Sequence, residues 1–114
     1  MSLERIIKTL EGFGFKRIEA EVYVYLAKKG PLKAGKIAAA LNLSKQKLHP
    51  ILKNLQNQGM VAVSPQYPFL FFAVEFEKVL DMLVKADLEQ AQAIKETKKE
   101  LLSSWRSMTK RDNN

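Results

Sequence analysis

Between Glu21 and Glu75 the chain carries no acidic side chain, and Lys28, Lys29, Lys33, Lys36, Lys45, Lys47 and Lys53 all fall inside that stretch. A run of one sign attracts polyanions or forms a solvated basic face. The distribution of donors over residues 44–58 favours the first reading. On a wheel of about 100° per residue, Leu48, Ile51, Leu52 and Leu55 share one side. Opposite them lie Gln46, Pro50, Lys53 and Asn57, flanked by His49 and Asn54, with no acid among them. A glutamine amide can pair with adenine through two hydrogen bonds, and a lysine can reach guanine or phosphate. Ser44 precedes the helix as its cap, with Lys45 and Lys47 at a helix start, where phosphate is attracted. His49 can meet a phosphate or a base edge, or stay in water. The candidate DNA-contacting set is therefore Lys33, Lys36, Ser44, Lys45, Gln46, Lys47, His49 and Lys53.

Other chemistries find little support. There is no cysteine, and His49 is the only histidine, so disulfides, thiolate nucleophiles, histidine metal sites and a catalytic triad are not expected. No phosphate-cradling glycine loop is present. The sequence predicts a non-enzyme that uses no cofactor and no metal. No apolar run approaches the ~20 residues that span a bilayer, and the start, Met1-Ser2-Leu3-Glu4-Arg5, lacks the pattern of a signal peptide. The expected setting is cytoplasmic, with no membrane partner. Residues 77–114 differ from the basic middle, with eight Lys or Arg against seven acids.

The elements that must position these residues follow from spacing and breakers. Leu3, Ile6, Ile7 and Leu10 predict a first helix ending at Gly12-Phe13-Gly14. A second runs from Arg17 to about Ala27 and stops before Gly30-Pro31. A third covers Ala34 to Leu41, and Asn42-Leu43 is a turn. The fourth helix follows Ser44 and reaches Gln58, with Gly59 ending it. Pro50 lies inside that fourth helix and removes one backbone donor, so either the helix kinks there or it starts later. Met60–Val63 and Phe69–Val74 read as strands joined by the loop Ser64–Pro68, which makes a wing.

From Phe76 to Lys110 the pattern is helical without Gly or Pro. Alternating steps of four and three select Leu80, Val84, Asp87, Ala91, Ile94, Lys98, Leu101, Trp105 and Met108. Seven of these nine are apolar, a coiled-coil seam interrupted by Asp87 and Lys98. The dimerisation set is Leu80, Val84, Ala91, Ile94, Leu101, Trp105 and Met108. A homodimer would present two recognition helices roughly 34 Å apart and bind a palindromic site. The expected architecture is mainly α with a small β-wing. It comprises a winged helix-turn-helix over residues 1–75, a long C-terminal dimerisation helix over 76–110, and a frayed tail over 111–114.

These motifs resemble a family. Gly12-Phe13-Gly14-Phe15, Glu19-Ala20-Glu21-Val22-Tyr23, Gly30-Pro31 and Lys36-Ile37-Ala38 follow the order seen in the N-terminal domain of TrmB-like archaeal and bacterial regulators. Ser44-Lys45-Gln46-Lys47-Leu48-His49, Leu52, Leu55 and Gly59-Met60-Val61 continue the likeness into the wing, and a looser similarity extends to the MarR group. The resemblance covers about residues 3–75. It implies a DNA-binding winged helix, with Ser44, Lys45, Gln46, Lys47, His49 and Lys53 on the matching recognition segment.

Three positions depart from the family pattern. Gly35 stands where a hydroxyl residue is common, Pro50 where a good helix former is usual, and Phe69-Leu70-Phe71-Phe72 where the wing tends to be basic. By two-residue alternation Phe69 and Phe71 face one way, Leu70 and Phe72 the other. One pair is expected in the core and the other under a helix or a partner chain, which leaves the loop tip, Ser64 to Tyr67, as the wing's candidate for touching DNA. Larger relatives of the family continue into an effector-binding domain, and no small-molecule effector is expected here. The leading function is a DNA-binding transcriptional regulator of double-stranded DNA. The alternatives are a low-specificity, chromatin-like DNA-coating protein and a protein-interaction module of a larger assembly.

Overall fold

The computed structural model describes residues 2–110, so the expected fraying at 111–114 lies outside the described residues. The element order is α1 (Leu3–Gly12), α2 (Arg17–Lys29), α3 (Ala34–Ala40), α4 (Lys45–Asn57), β1 (Val61–Val63), β2 (Phe71–Ala73), α5 (Phe76–Glu96) and α6 (Lys98–Thr109). The chain forms two compact units, residues 1–80 and 81–114.

Helix ends in the first unit are set by local chemistry. Ser2 and Ser44 cap α1 and α4 by accepting from the amides of Arg5 and Lys47 at 3.3 and 3.1 Å. Three helices then end in one motif, in which a left-handed residue turns the chain while its own amide and the next one bond back to the last turn. Gly14 (φ +102°) and Gly59 (φ +79°) supply it after α1 and α4. After α3 the left-handed residue is Asn42 (φ +55°), with Leu43 N–H donating to the Ala38 carbonyl at 2.8 Å. That bond sets how α4 leaves α3, and so fixes the turn of the helix-turn-helix. The Glu19 carboxylate accepts from the Lys16 amide at 2.8 Å at the start of α2.

The core of this unit is built from Leu10, Val22, Tyr23, Leu26, Ile37, Leu48, Leu55, Met60 and Val79, all nearly inaccessible. Arg17 forks onto Glu4 with bonds of 2.7 and 2.8 Å and ties α2 to α1 at the surface. β1 and β2 are antiparallel, with Val61 opposite Ala73, Ala62 opposite Phe72 and Val63 opposite Phe71. Leu32, from the segment between α2 and α3, exchanges two backbone bonds with Phe71 at 2.8 and 3.0 Å and anchors the wing to the helices. The strands are shorter than the sequence suggests, because pairing is confined to residues 61–63 and 71–73. Neither aromatic pair of the second strand is fully buried: Leu70 and Phe71 are half-buried, and Phe69 and Phe72 are exposed. A two-stranded wing at the rim of the domain has no opposing layer to cover both faces.

Tyr23 joins the wing to α2, donating its hydroxyl to the Val74 carbonyl at 2.7 Å, with its ring 6.3 Å from that of Phe76. Burial pushes the phenol from 10.0 up to about 12. The folded state therefore holds a proton that the unfolded chain releases first. This contribution to stability is intact below pH 10 and is lost as the pH rises toward about 12. Tyr23→Phe should cost about 1–2 kcal/mol at neutral pH and should remove this alkaline component. Thermal unfolding followed against pH reads both effects.

In the second unit none of the described residues is buried. The long helical stretch expected over 76–110 is present as α5 and α6, with Thr97 alone between them. Its backbone still bonds both ways: the Thr97 amide donates to the Ala93 carbonyl at 3.1 Å and the Thr97 carbonyl accepts from Leu101 at 2.9 Å. The Thr97 hydroxyl donates back to the carbonyls of Ala93 and Ile94 at 2.9 and 3.4 Å, a bond to the preceding turn that bends a helix slightly.

Candidate nucleic-acid interface

The candidate surface is assembled from α3, the Asn42 turn and α4. Leu48, Leu52 and Leu55 are buried and Ile51 half-buried, so their side of α4 is held against the domain. Gln46, His49, Pro50, Lys53 and Asn57 are all exposed, as the wheel requires. The helix begins at Lys45 and continues through Pro50 to Asn57. Of the two expected consequences of Pro50, a later start does not occur. The proline still leaves the Gln46 carbonyl without its helical donor. Buried Leu48 and Leu52 on either side hold the flanking turns against the domain.

Gln46 borders two grooves. One, of about 580 Å³, brings Lys45, Gln46 and His49 beside Gln56, over a floor that includes Leu52 and Phe71. The other, of about 760 Å³, holds Gln46 with Lys47 and Pro50 on its α4 side. Lys33 sits at the cap of α3, and Lys36 is exposed one turn later. Lys45 lies over the same end of α3. A Cβ built on Gly35 would come within 3.7 Å of its Cε and 4.0 Å of its Nζ. The absent hydroxyl at Gly35 thus leaves room for a cation to lie across the start of α3. The Ser44 hydroxyl accepts from Lys47, so its oxygen is occupied by capping while its own proton remains free to donate.

Asn54 is the exception on this helix. It is half-buried and donates to the Glu19 carboxylate at 2.6 Å, which fastens α4 to α2. Glu19 is itself buried, so this amide is engaged within the fold. The sequence reading overlooked Gln56, which lines the groove beside His49. Its spacing of seven from His49, two helical turns, was the available signal. Phe71 was read as core or covered, and it lines the same groove.

Among the described residues there is no cluster of metal-ligating side chains, and no helix is long and apolar enough to cross a membrane. A family model described as sugar-specific transcriptional regulator TrmB matches residues 10–77, more than half of the chain. The HTH-type sugar sensing transcriptional regulator TrmBL1 of Pyrococcus furiosus is 26% identical over 98 residues, covering 86% of this chain and 29% of its own. Among solved structures, that of TrmBL2, an archaeal chromatin protein, superposes with a TM-score of 0.75 at 23% identity, over 98% of this chain and 45% of that one. The ST1889 protein of Sulfolobus tokodaii gives a TM-score of 0.66 at 18% identity, over 82% of this chain and 98% of its own. The chain thus spans less than half the length of the first two. The architecture is a mainly helical winged helix-turn-helix with a small wing.

Proposed function

The chain belongs to the TrmB family of transcriptional regulators, and on that premise we propose that it binds duplex DNA through α3 and α4 and regulates transcription as a homodimer on a palindromic site. The observation that carries this reading is the outer face of α4. Gln46, His49 and Lys53 are exposed there with Lys45 and Lys47 at the helix start, inside a stretch of sequence without a single acid. Gln46 and Lys53 are assigned to base edges, Ser44, Lys45 and Lys47 to phosphates along the groove, and Lys33 and Lys36 to the flanking backbone. His49 completes the contact surface. Phosphate contacts supply affinity and register, whereas base contacts supply sequence preference.

Residues 1–75 are assigned to DNA binding and 76–110 to dimerisation. The exposure of Val84, Ile94, Leu101, Trp105 and Met108 supports the second assignment, since a soluble chain seldom leaves so many large apolar groups in water on successive turns. Leu80, half-buried, and Ala91 complete the seam. The exposed Leu88 and Leu102, four residues after Val84 and Lys98, widen it.

Competition between a selected duplex and random DNA tests the reading. Gln46→Ala with Lys53→Ala should lower the preference for the selected site by roughly tenfold or more, since each good base contact is worth about 1–3 kcal/mol of discrimination. An unchanged preference would mean that α4 does not read the bases.

A further inference from the structure

The wing carries a feature that phosphate binding does not use. Its tip, from Ser64 to Phe69, has no cation, yet Tyr67 is the most exposed large apolar residue of the first unit at 85%, and Phe69 is 50% exposed. Their rings meet edge to face, with centroids 5.9 Å apart and an interplanar angle of 86°. The Ser64 hydroxyl holds the tip in place, with contacts to the Gln66 and Pro68 carbonyls at 3.3 Å and to the Leu70 amide at 2.9 Å. Behind the tip lies a groove of about 490 Å³ walled by Tyr67, Phe69, Phe71 and Val63, with Gln56 and Lys33 also lining it.

We propose that this groove receives an unstacked nucleobase of the bound DNA. This rests on the DNA-binding reading above. Every base has a π-face that an aromatic ring can stack on, and such stacking does not depend on sequence. Tyr67, Phe69 and Phe71 supply the rings. The Gln56 amide offers both a donor and an acceptor to a base edge, and the Lys33 ammonium meets the phosphate beside it. Continuity selects this occupant: Gln56 also borders the groove that holds Lys45, Gln46 and His49, and neither groove is lined by an acid. A strand passing the start of α4 is thereby led toward the wing. The preformed tip lowers the ordering cost of binding.

The test compares the 114-residue chain on a fully paired duplex and on the same duplex carrying a short internal bubble of unpaired thymines, read by fluorescence anisotropy. The expected result is roughly five- to hundredfold tighter binding to the bubble. Tyr67→Ala with Phe69→Ala should abolish that preference, bringing affinity for the bubble down to that for the paired duplex. Both side chains are exposed, so the fold does not depend on them. Equal binding to the two probes, or a preference that survives the double substitution, overturns the proposal and leaves duplex binding intact. A preference lost only in Lys33→Ala is electrostatic and also overturns it. A loss of dimer in the double variant assigns the groove to a second copy and does the same. Failure to bind either probe removes the DNA-binding reading itself, and this proposal with it.

Discussion

Ile94→Asp combined with Trp105→Asp is expected to convert the protein from dimer to monomer in sedimentation equilibrium. Both side chains are more than half exposed in the single chain, at 53% and 61%, so neither change removes a contact within it. Within an assembled pair the same positions would be dry. A carboxylate there would have to be desolvated without a partner, a cost of several kcal/mol per ion. A single Trp buries on the order of 150–250 Å², so two copies of this residue alone contribute a substantial part of a small interface. Loss of the dimer should also separate the two recognition helices. Affinity for a site of two half-sites should then fall by about 10²–10⁴, the factor that linkage of two binding modules supplies. Affinity for an isolated half-site should be unchanged. A variant that remains dimeric would show that α5 and α6 do not form the interface.

The second large effect concerns the phosphate contacts. Lys45→Ala with Lys47→Ala should weaken binding to cognate and random duplex by the same factor, since phosphate contacts carry no sequence information. The slope of log affinity against log salt should become shallower by about 3.6 for the dimer, or about 0.9 for each of its four lysines. This separates the pair from Gln46 and Lys53, whose replacement changes preference. Lys45 extends over Gly35 at the start of α3, and Lys47 donates its backbone amide to the Ser44 cap. Alanine at position 47 retains that amide, so the helix start survives the substitution. An unchanged salt slope would assign these lysines to water.

Much of this architecture could be read locally. Ser44, Asn42 and Gly59 are residues whose preferred backbone or capping chemistry operates within a few positions, so the helix-turn-helix and the start of the wing were visible as a pattern. The buried and exposed faces of α4 followed from leucine spacing, and Leu48, Leu52 and Leu55 occupy the buried side. The features that escaped depend on distant partners. Asn54 looks like a reading residue on a wheel, and only the buried Glu19, 35 positions earlier, turns it inward. The Leu32–Phe71 pairing likewise joins segments that no local period connects. The second strand was read as core or covered because an apolar run normally is. Pairing with only β1 and Leu32 leaves Phe69 and Phe72 exposed in the single chain, so the first unit does not itself enclose either pair.

The most direct test of the central claim is the affinity of the 114-residue chain for duplex DNA measured across a salt series, with random duplex as competitor. If α3 and α4 engage DNA as assigned, binding should be tight at low salt and should fall by roughly 10³–10⁵ between about 50 and 200 mM salt, as expected for two subunits neutralising some six to ten phosphates. One selected sequence should also outcompete random DNA at every salt concentration. Absence of binding at the lowest salt, or an affinity that does not change with salt, would contradict the account.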